Sequence, residues 1–268
     1  MNKDYIASLI TKNMREDGRD LLEYRKPIKI EYGISAKSAE GSARVIIGDT
    51  EVVAGVKLDV GEPFPDTPDD GVLMVGAELL PLSNPEFESG PPDIQAVELA
   101  RVIDRGIRES NAIDTKKLCI KPGEKVWLVF LDIYPINDAG NLFDAGALAA
   151  LAALKDAKFP FYDKKEEKID YHKKTKEPLP LLDEPIECTV LKIKNGFIVD
   201  PIIEEEKAMD ARLTVAITKN GNICALQKGG EVPVTIEEVD KMIDIATQKT
   251  KELRKVLQWN TLNTKKLE

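Results

Sequence analysis

SARVIIGDTEVVAGVKLDV (Ser42–Val60) carries two apolar, β-branched arms around the dipeptide Gly48-Asp49. Gly and Asp tolerate the positive backbone angles of a tight turn, so the stretch predicts an antiparallel hairpin. Before it, PIKIEYGI (Pro27–Ile34) reads as a strand; after it, GVLMVGAELL (Gly71–Leu80) reads as another. A charged amphipathic helix is expected over Lys3–Met14, ended by Asp17-Gly18. SNPEFESGPPD (Ser83–Asp93) is a Pro/Gly/Ser loop with Asp93 as candidate N-cap. In the following IQAVELARVIDRGIRES, residues Ala96, Leu99, Ala100, Ile103 and Ile107 recur at three- and four-residue spacing. They form the buried stripe of a helix, and Arg101, Arg105 and Arg108 share its other face.

KVWLVFLDIYPI (Lys125–Ile136) is apolar almost throughout and predicts a central strand buried on both faces. An Ala-rich helix follows in DAGALAALAALKDA, whose small side chains permit close packing on a sheet. Lys158–Pro185 combines charge runs with four prolines and reads as a solvated linker. Beyond it the style of the first half repeats. Strands are expected at Ile186–Ile193 and Gly196–Val199, a hairpin turns at Asn220-Gly221, and a helix runs from a Thr235/Glu238 capping box to Val256. The polar NTLNTKKLE is expected to fray, and Trp259 to pack the last helix down. The expected organisation is a unit over 1–185, comprising the first helix, the first domain and the charged linker, and a second over 186–268.

Composition limits the function. The 268 residues include 38 basic and 47 acidic side chains, a net charge of −9. That excludes a protein that coats nucleic acid nonspecifically and leaves room for a local basic groove. No apolar stretch approaches the roughly 20 residues of a membrane helix, and no secretory signal is apparent, so no membrane association is expected. Cys119, Cys188 and Cys224 make an odd set without a Cys-x-x-Cys pair, which suits reduced thiols in a cytoplasmic protein. A single histidine, His172, leaves no histidine triad or multi-histidine metal site.

Four stretches in order resemble the ribonuclease PH superfamily. They are Arg15-Glu16-Asp17-Gly18-Arg19 with Arg25-Lys26-Pro27-Ile28; Gly41–Val45 with Gly48–Val52; Arg101–Arg108; and Met209–Ala216. Within that superfamily the chain is most similar to the non-catalytic ring subunits of archaeal exosomes. The resemblance implies an α+β ribonuclease PH fold of two halves like domain 2 of ribosomal protein S5. It also implies a hexameric ring of three heterodimers with a catalytic ribonuclease PH-like paralogue, RNA-binding cap subunits, and single-stranded RNA degraded from its 3′ end by phosphorolysis.

Phosphorolysis needs donors that cradle an attacking phosphate, and carboxylates for a metal ion or general acid. Active members of the family place those donors in the turn before the Ala-rich helix. Here that turn reads Ala139-Gly140-Asn141-Leu142-Phe143-Asp144: Leu142 offers no donor, Phe143 adds bulk, and Asp144 is expected to repel phosphate. The family's two Asp six residues apart are matched by Asp210, with Glu204 at the first position. The expectation is a chain with no catalytic residues, no metal and no cofactor. Arg101 and Arg105 are expected to bind RNA, and Arg108 to be structural. For these arginines the alternative from spacing alone is an ion-paired helix face with Glu98, Asp104 and Glu109. The main rival is a self-sufficient phosphate-dependent exoribonuclease using Asp210 and Glu204. Two others are a metabolite kinase, for which no nucleotide loop is found, and a scaffold that never meets RNA.

Overall fold

The computed structural model describes residues 3–264, with side chains for residues 3–257. Helix α1 (Lys3–Thr11) is followed by β1 (Ile28–Tyr32), β2 (Gly41–Ile47), β3 (Thr50–Gly61) and β4 (Val72–Ala77). Next come α2 (Ile94–Glu109), β5 (Cys119–Lys121), β6 (Lys125–Asn137) and α3 (Leu142–Asp156). The order in the first sheet is β1-β2-β3-β6-β4, with β5 on β6. The expected hairpin is β2–β3, with Ile47 opposite Thr50. β4 runs parallel to β6, and such a pairing needs a crossover, which contains α2.

The Ala-rich helix α3 is buried on nearly every side, as a helix apolar all round must be. It lies so close to β2 that a Cβ on Gly41 would fall 2.4 Å from the Ala153 carbonyl oxygen. Only glycine admits that approach. Asp93 caps α2 by accepting from Ala96 N at 2.8 Å.

Two expectations change here. β6 is not buried on both faces. Val129, Leu131 and Ile133 point into the core, while Leu128, Phe130 and Tyr134 alternate with them and are half-exposed. Both helices pack on one side of the sheet, so period-two burial appears even where both faces are apolar. The stretch read as a linker is an antiparallel ribbon, β7 (Lys158–Asp163) with β8 (Lys168–Pro178). Its charged residues face water on β8, which hides the strand alternation. Phe159 anchors it, its ring 5.1 Å from that of Trp127.

The second sheet has the order β10-β9-β11-β12, from β9 (Ile186–Ile193), β10 (Gly196–Val199), β11 (Ala211–Ile217) and β12 (Ile223–Gly229). A short helix, α4 (Ile203–Ala208), and the long α5 (Ile236–Thr264) complete it. The Thr235/Glu238 capping box forms: Thr235 N donates to Glu238 Oε2 at 3.0 Å, and Glu238 N to Thr235 Oγ1 at 3.3 Å. α5 continues past Val256, while the Trp259 side chain and the last residues lie outside the described set. One buried cluster joins residues of both sheets, including Val45, Leu131, Leu151, Val190 and Val215. Helix α1 packs Ile6, Ala7 and Ile10 on Leu191 and Ile198 of the second sheet. Cys188 is buried, Cys119 and Cys224 are half-buried, and all three are free thiols.

Candidate functional site

The arm that follows α1 supplies the framework. Arg15 is fully enclosed. Its Nε donates to Glu205 Oε1 at 2.9 Å, and its Nη1 and Nη2 reach the carbonyls of Val199 (3.0 Å) and Asp200 (2.8 Å). Arg25 Nη2 donates to Asp200 Oδ1 at 2.8 Å, and Arg19 Nη1 to Oδ2 at 3.0 Å. Buried charges survive only when paired and hydrogen-bonded, and this network satisfies that condition. The arginines that carried the family resemblance thus fasten the arm, α4 and the end of β10 to one another.

The same network holds the turn at the head of α3. Arg25 Nη1 donates to Ala139 O at 2.6 Å and Nη2 to Gly140 O at 3.0 Å, while Thr50 Oγ1 donates to Gly140 O at 2.6 Å. Gly140 has φ +93°, and a Cβ there would stand 2.4 Å from Pro201 O. Asn141, at φ +62°, is buried and donates its Nδ2 to Asp200 Oδ1 at 2.8 Å.

Backbone N–H groups at a helix start form a natural anion seat. In this chain the two amides that lead into α3 are taken internally. Gly140 N donates to Asp138 Oδ1 at 2.9 Å, and Asn141 N donates to Glu206 Oε1 at 2.8 Å. Burial raises Glu206 to about 7, and the nearby Asp138 carboxylate adds to the shift against the Asn141 amide and Arg212. A cleft of about 330 Å³ opens beside the turn, lined among others by Asn84, Glu98, Leu142, Phe143, Glu206 and Arg212. Arg212 lies 4.2 Å from the centre of the Phe143 ring and pairs with Glu98. That contact lies off the line of a hydrogen bond, and Arg212 Nε has no hydrogen-bond partner among the described residues.

Several expected site residues sit elsewhere. Asp144 does not face an incoming phosphate. It is buried, accepting from Tyr24 Oη and Thr189 N, each at 2.7 Å. Burial pushes it up to about 7 against those donors. Leu142 and Phe143 do line the cleft. Glu204 lines a neighbouring hollow with Arg19, Arg25 and Lys26. Asp210 accepts from Lys194 N at 2.6 Å, closing the β9–β10 turn. Glu206 and Asp138 were not singled out from the sequence, although Glu206 belongs to the run Glu204–Glu206. Among the described residues no group of three or more His, Cys, Asp or Glu could hold a metal ion.

On α2, Arg101 and Arg105 are exposed. Arg101 has no hydrogen bond or ion pair among the described residues, whereas Arg105 Nη1 donates to Gln227 Oε1 at 3.0 Å. Arg108 is held by Asp104 at 2.7 Å, as an i, i+4 pair predicts.

Two sheets fastened by an arginine arm, with a glycine turn at the head of an Ala-rich helix, form the α+β framework expected of the ribonuclease PH type. The descriptions "3′ exoribonuclease family, domain 1" and "domain 2" match residues 24–160 and 183–249. The chain belongs to the 3′ exoribonuclease family. It is 50% identical over 260 residues to exosome complex component Rrp42 of Thermococcus gammatolerans, covering 95% of this chain and 93% of that protein. It is 48% identical over 248 residues to Rrp42 of Methanothermobacter thermautotrophicus, covering 92% and 91%. A chain of the Archaeoglobus fulgidus exosome, solved with RNA bound to the active site, superposes with a TM-score of 0.86. It is 46% identical and covers 94% of this chain and 96% of that one.

Proposed function

We propose that this chain is a non-catalytic subunit of an exosome ring. There it would support a catalytic paralogue that degrades single-stranded RNA by phosphorolysis from the 3′ end. The observation that carries this reading is the pair of carboxylates at the turn leading into α3. Asp138 and Glu206 accept from the Gly140 and Asn141 amides, and the next side chain, Leu142, has no donor. A phosphate approaching this turn would meet two carboxylates instead of the free Gly140 and Asn141 N–H groups. One lost donor to a transition-state oxyanion costs about 2.7–4 kcal/mol, so loss of the set removes useful turnover. The rival exoribonuclease loses support because Asp210 is engaged in the β9–β10 turn.

The ring partner is supported by the uncovered side of the first sheet. Met74, Leu128, Phe130 and Tyr134 lie there, exposed or half-exposed. Such a surface suits a permanent protein contact. The division into units 1–185 and 186–268, the cap subunits and the cytoplasmic setting belong to the same reading.

Arg101 and Arg105 contribute the RNA contact, as exposed guanidinium groups without a carboxylate partner among the described residues. Arg101→Glu with Arg105→Glu in the assembled ring is expected to weaken binding of single-stranded RNA. Losing two phosphate contacts lowers the salt-dependence slope by about 1.4. Mass measurement is expected to find assembly intact. Unchanged affinity and slope would defeat the reading.

A further inference from the structure

The three arginines of α2 are held in three ways. Asp104 neutralises Arg108, whose Nη2 also donates to Leu73 O at 3.1 Å. Arg101 is unheld among the described residues. Arg105 is held by an uncharged acceptor, Gln227 Oε1 at 3.0 Å. Gln227 comes from β12, the edge strand of the second sheet. Its Nε2 donates to Lys228 O at 3.3 Å, which directs its oxygen toward Arg105.

The difference between these acceptors is chemical. A carboxylate both orients a guanidinium and cancels its charge. An amide oxygen orients it and leaves the charge whole, and four of the five N–H donors remain free for phosphate oxygens. We propose that Gln227 is a positioning residue for RNA: it aims the Arg105 guanidinium without neutralising it, so that the second sheet sets how the first half's helix meets the phosphate backbone. This rests on the reading of Arg105 as an RNA contact.

The test is a double-mutant cycle on the assembled ring, with a fluorescent single-stranded oligoadenylate as probe and affinity measured from 50 to 200 mM salt. Arg105→Ala is expected to weaken binding and lower the salt slope by about 0.7. Gln227→Ala is expected to weaken binding about two- to tenfold, the range of one hydrogen bond, with the slope and melting temperature unchanged. In the Arg105→Ala background it should have no further effect. Gln227→Glu should weaken binding and lower the slope, because it retains the contact and cancels the charge. An equal effect of Gln227→Ala with and without Arg105, or none while Arg105→Ala is defective, overturns the positioning role and leaves the RNA contact standing. No effect of Arg105→Ala overturns the contact and the positioning role together.

Discussion

Replacing Glu206 by Gln removes a charge from the head of α3 and keeps an oxygen for the Asn141 amide. The side chain is half-buried at the wall of the cleft, and desolvation there raises its carboxyl from 4.5 to about 7. An acid raised in this way binds more protons in the folded than in the unfolded chain between those two pH values. Its contribution therefore falls as pH rises through that window and levels off above about 7. One pKa unit corresponds to about 1.4 kcal/mol, so between pH 5 and pH 8 the wild-type chain should lose about 2–3 kcal/mol through this group. Glu206→Gln should lack that loss. Urea unfolding at pH 5 and pH 8 measures it: the two proteins should have similar stability at pH 5, with the variant ahead by about 2–3 kcal/mol at pH 8. Asp144, raised to about 7 by burial, adds its own pH dependence to both proteins and drops out of the difference. Equal pH dependence of wild type and variant would refute the placement of the Glu206 carboxyl on the Asn141 amide.

Glu205→Ala should destabilise the fold by about 3–5 kcal/mol, because it strands the fully enclosed Arg15 guanidinium without its counter-ion; the denaturant midpoint reports this. Gly140→Ala should cost about 2–5 kcal/mol in the same assay. Its new Cβ meets the Pro201 carbonyl at 2.4 Å in a left-handed backbone, and the clash is with main chain that cannot rotate away.

Much of the fold was legible because local signals agreed. The Gly48-Asp49 turn between β-branched arms, the stripe on α2 and the Thr235/Glu238 box each specify an element without help from the rest of the chain. The ribbon β7–β8 was not legible, since its exposed lysines mask the two-residue alternation that marks a strand. The candidate site was half legible. The turn Gly140–Phe143, with no side-chain donor at Leu142 or Phe143, could be read directly, but the carboxylates facing it could not. Counting six residues back from Asp210 selects Glu204. The six-residue helix α4 is too short to announce itself by periodicity, and it rotates successive residues by about 100°. Glu204 and Glu206 therefore point to opposite sides, and Glu205 turns inward to Arg15. Asp144 misled for a similar reason: as the third residue of α3 it faces Tyr24 and Thr189 in the core.

Incubation of the full chain with labelled poly(A), magnesium and inorganic phosphate tests the central claim most directly. It should be done with the chain alone and in the assembled ring after the paralogue's carboxylates have been removed. With Asp138 and Glu206 occupying the amides of the phosphate turn, no nucleoside diphosphate should form in either sample. Release of nucleoside diphosphates from the 3′ end, dependent on phosphate, would contradict it.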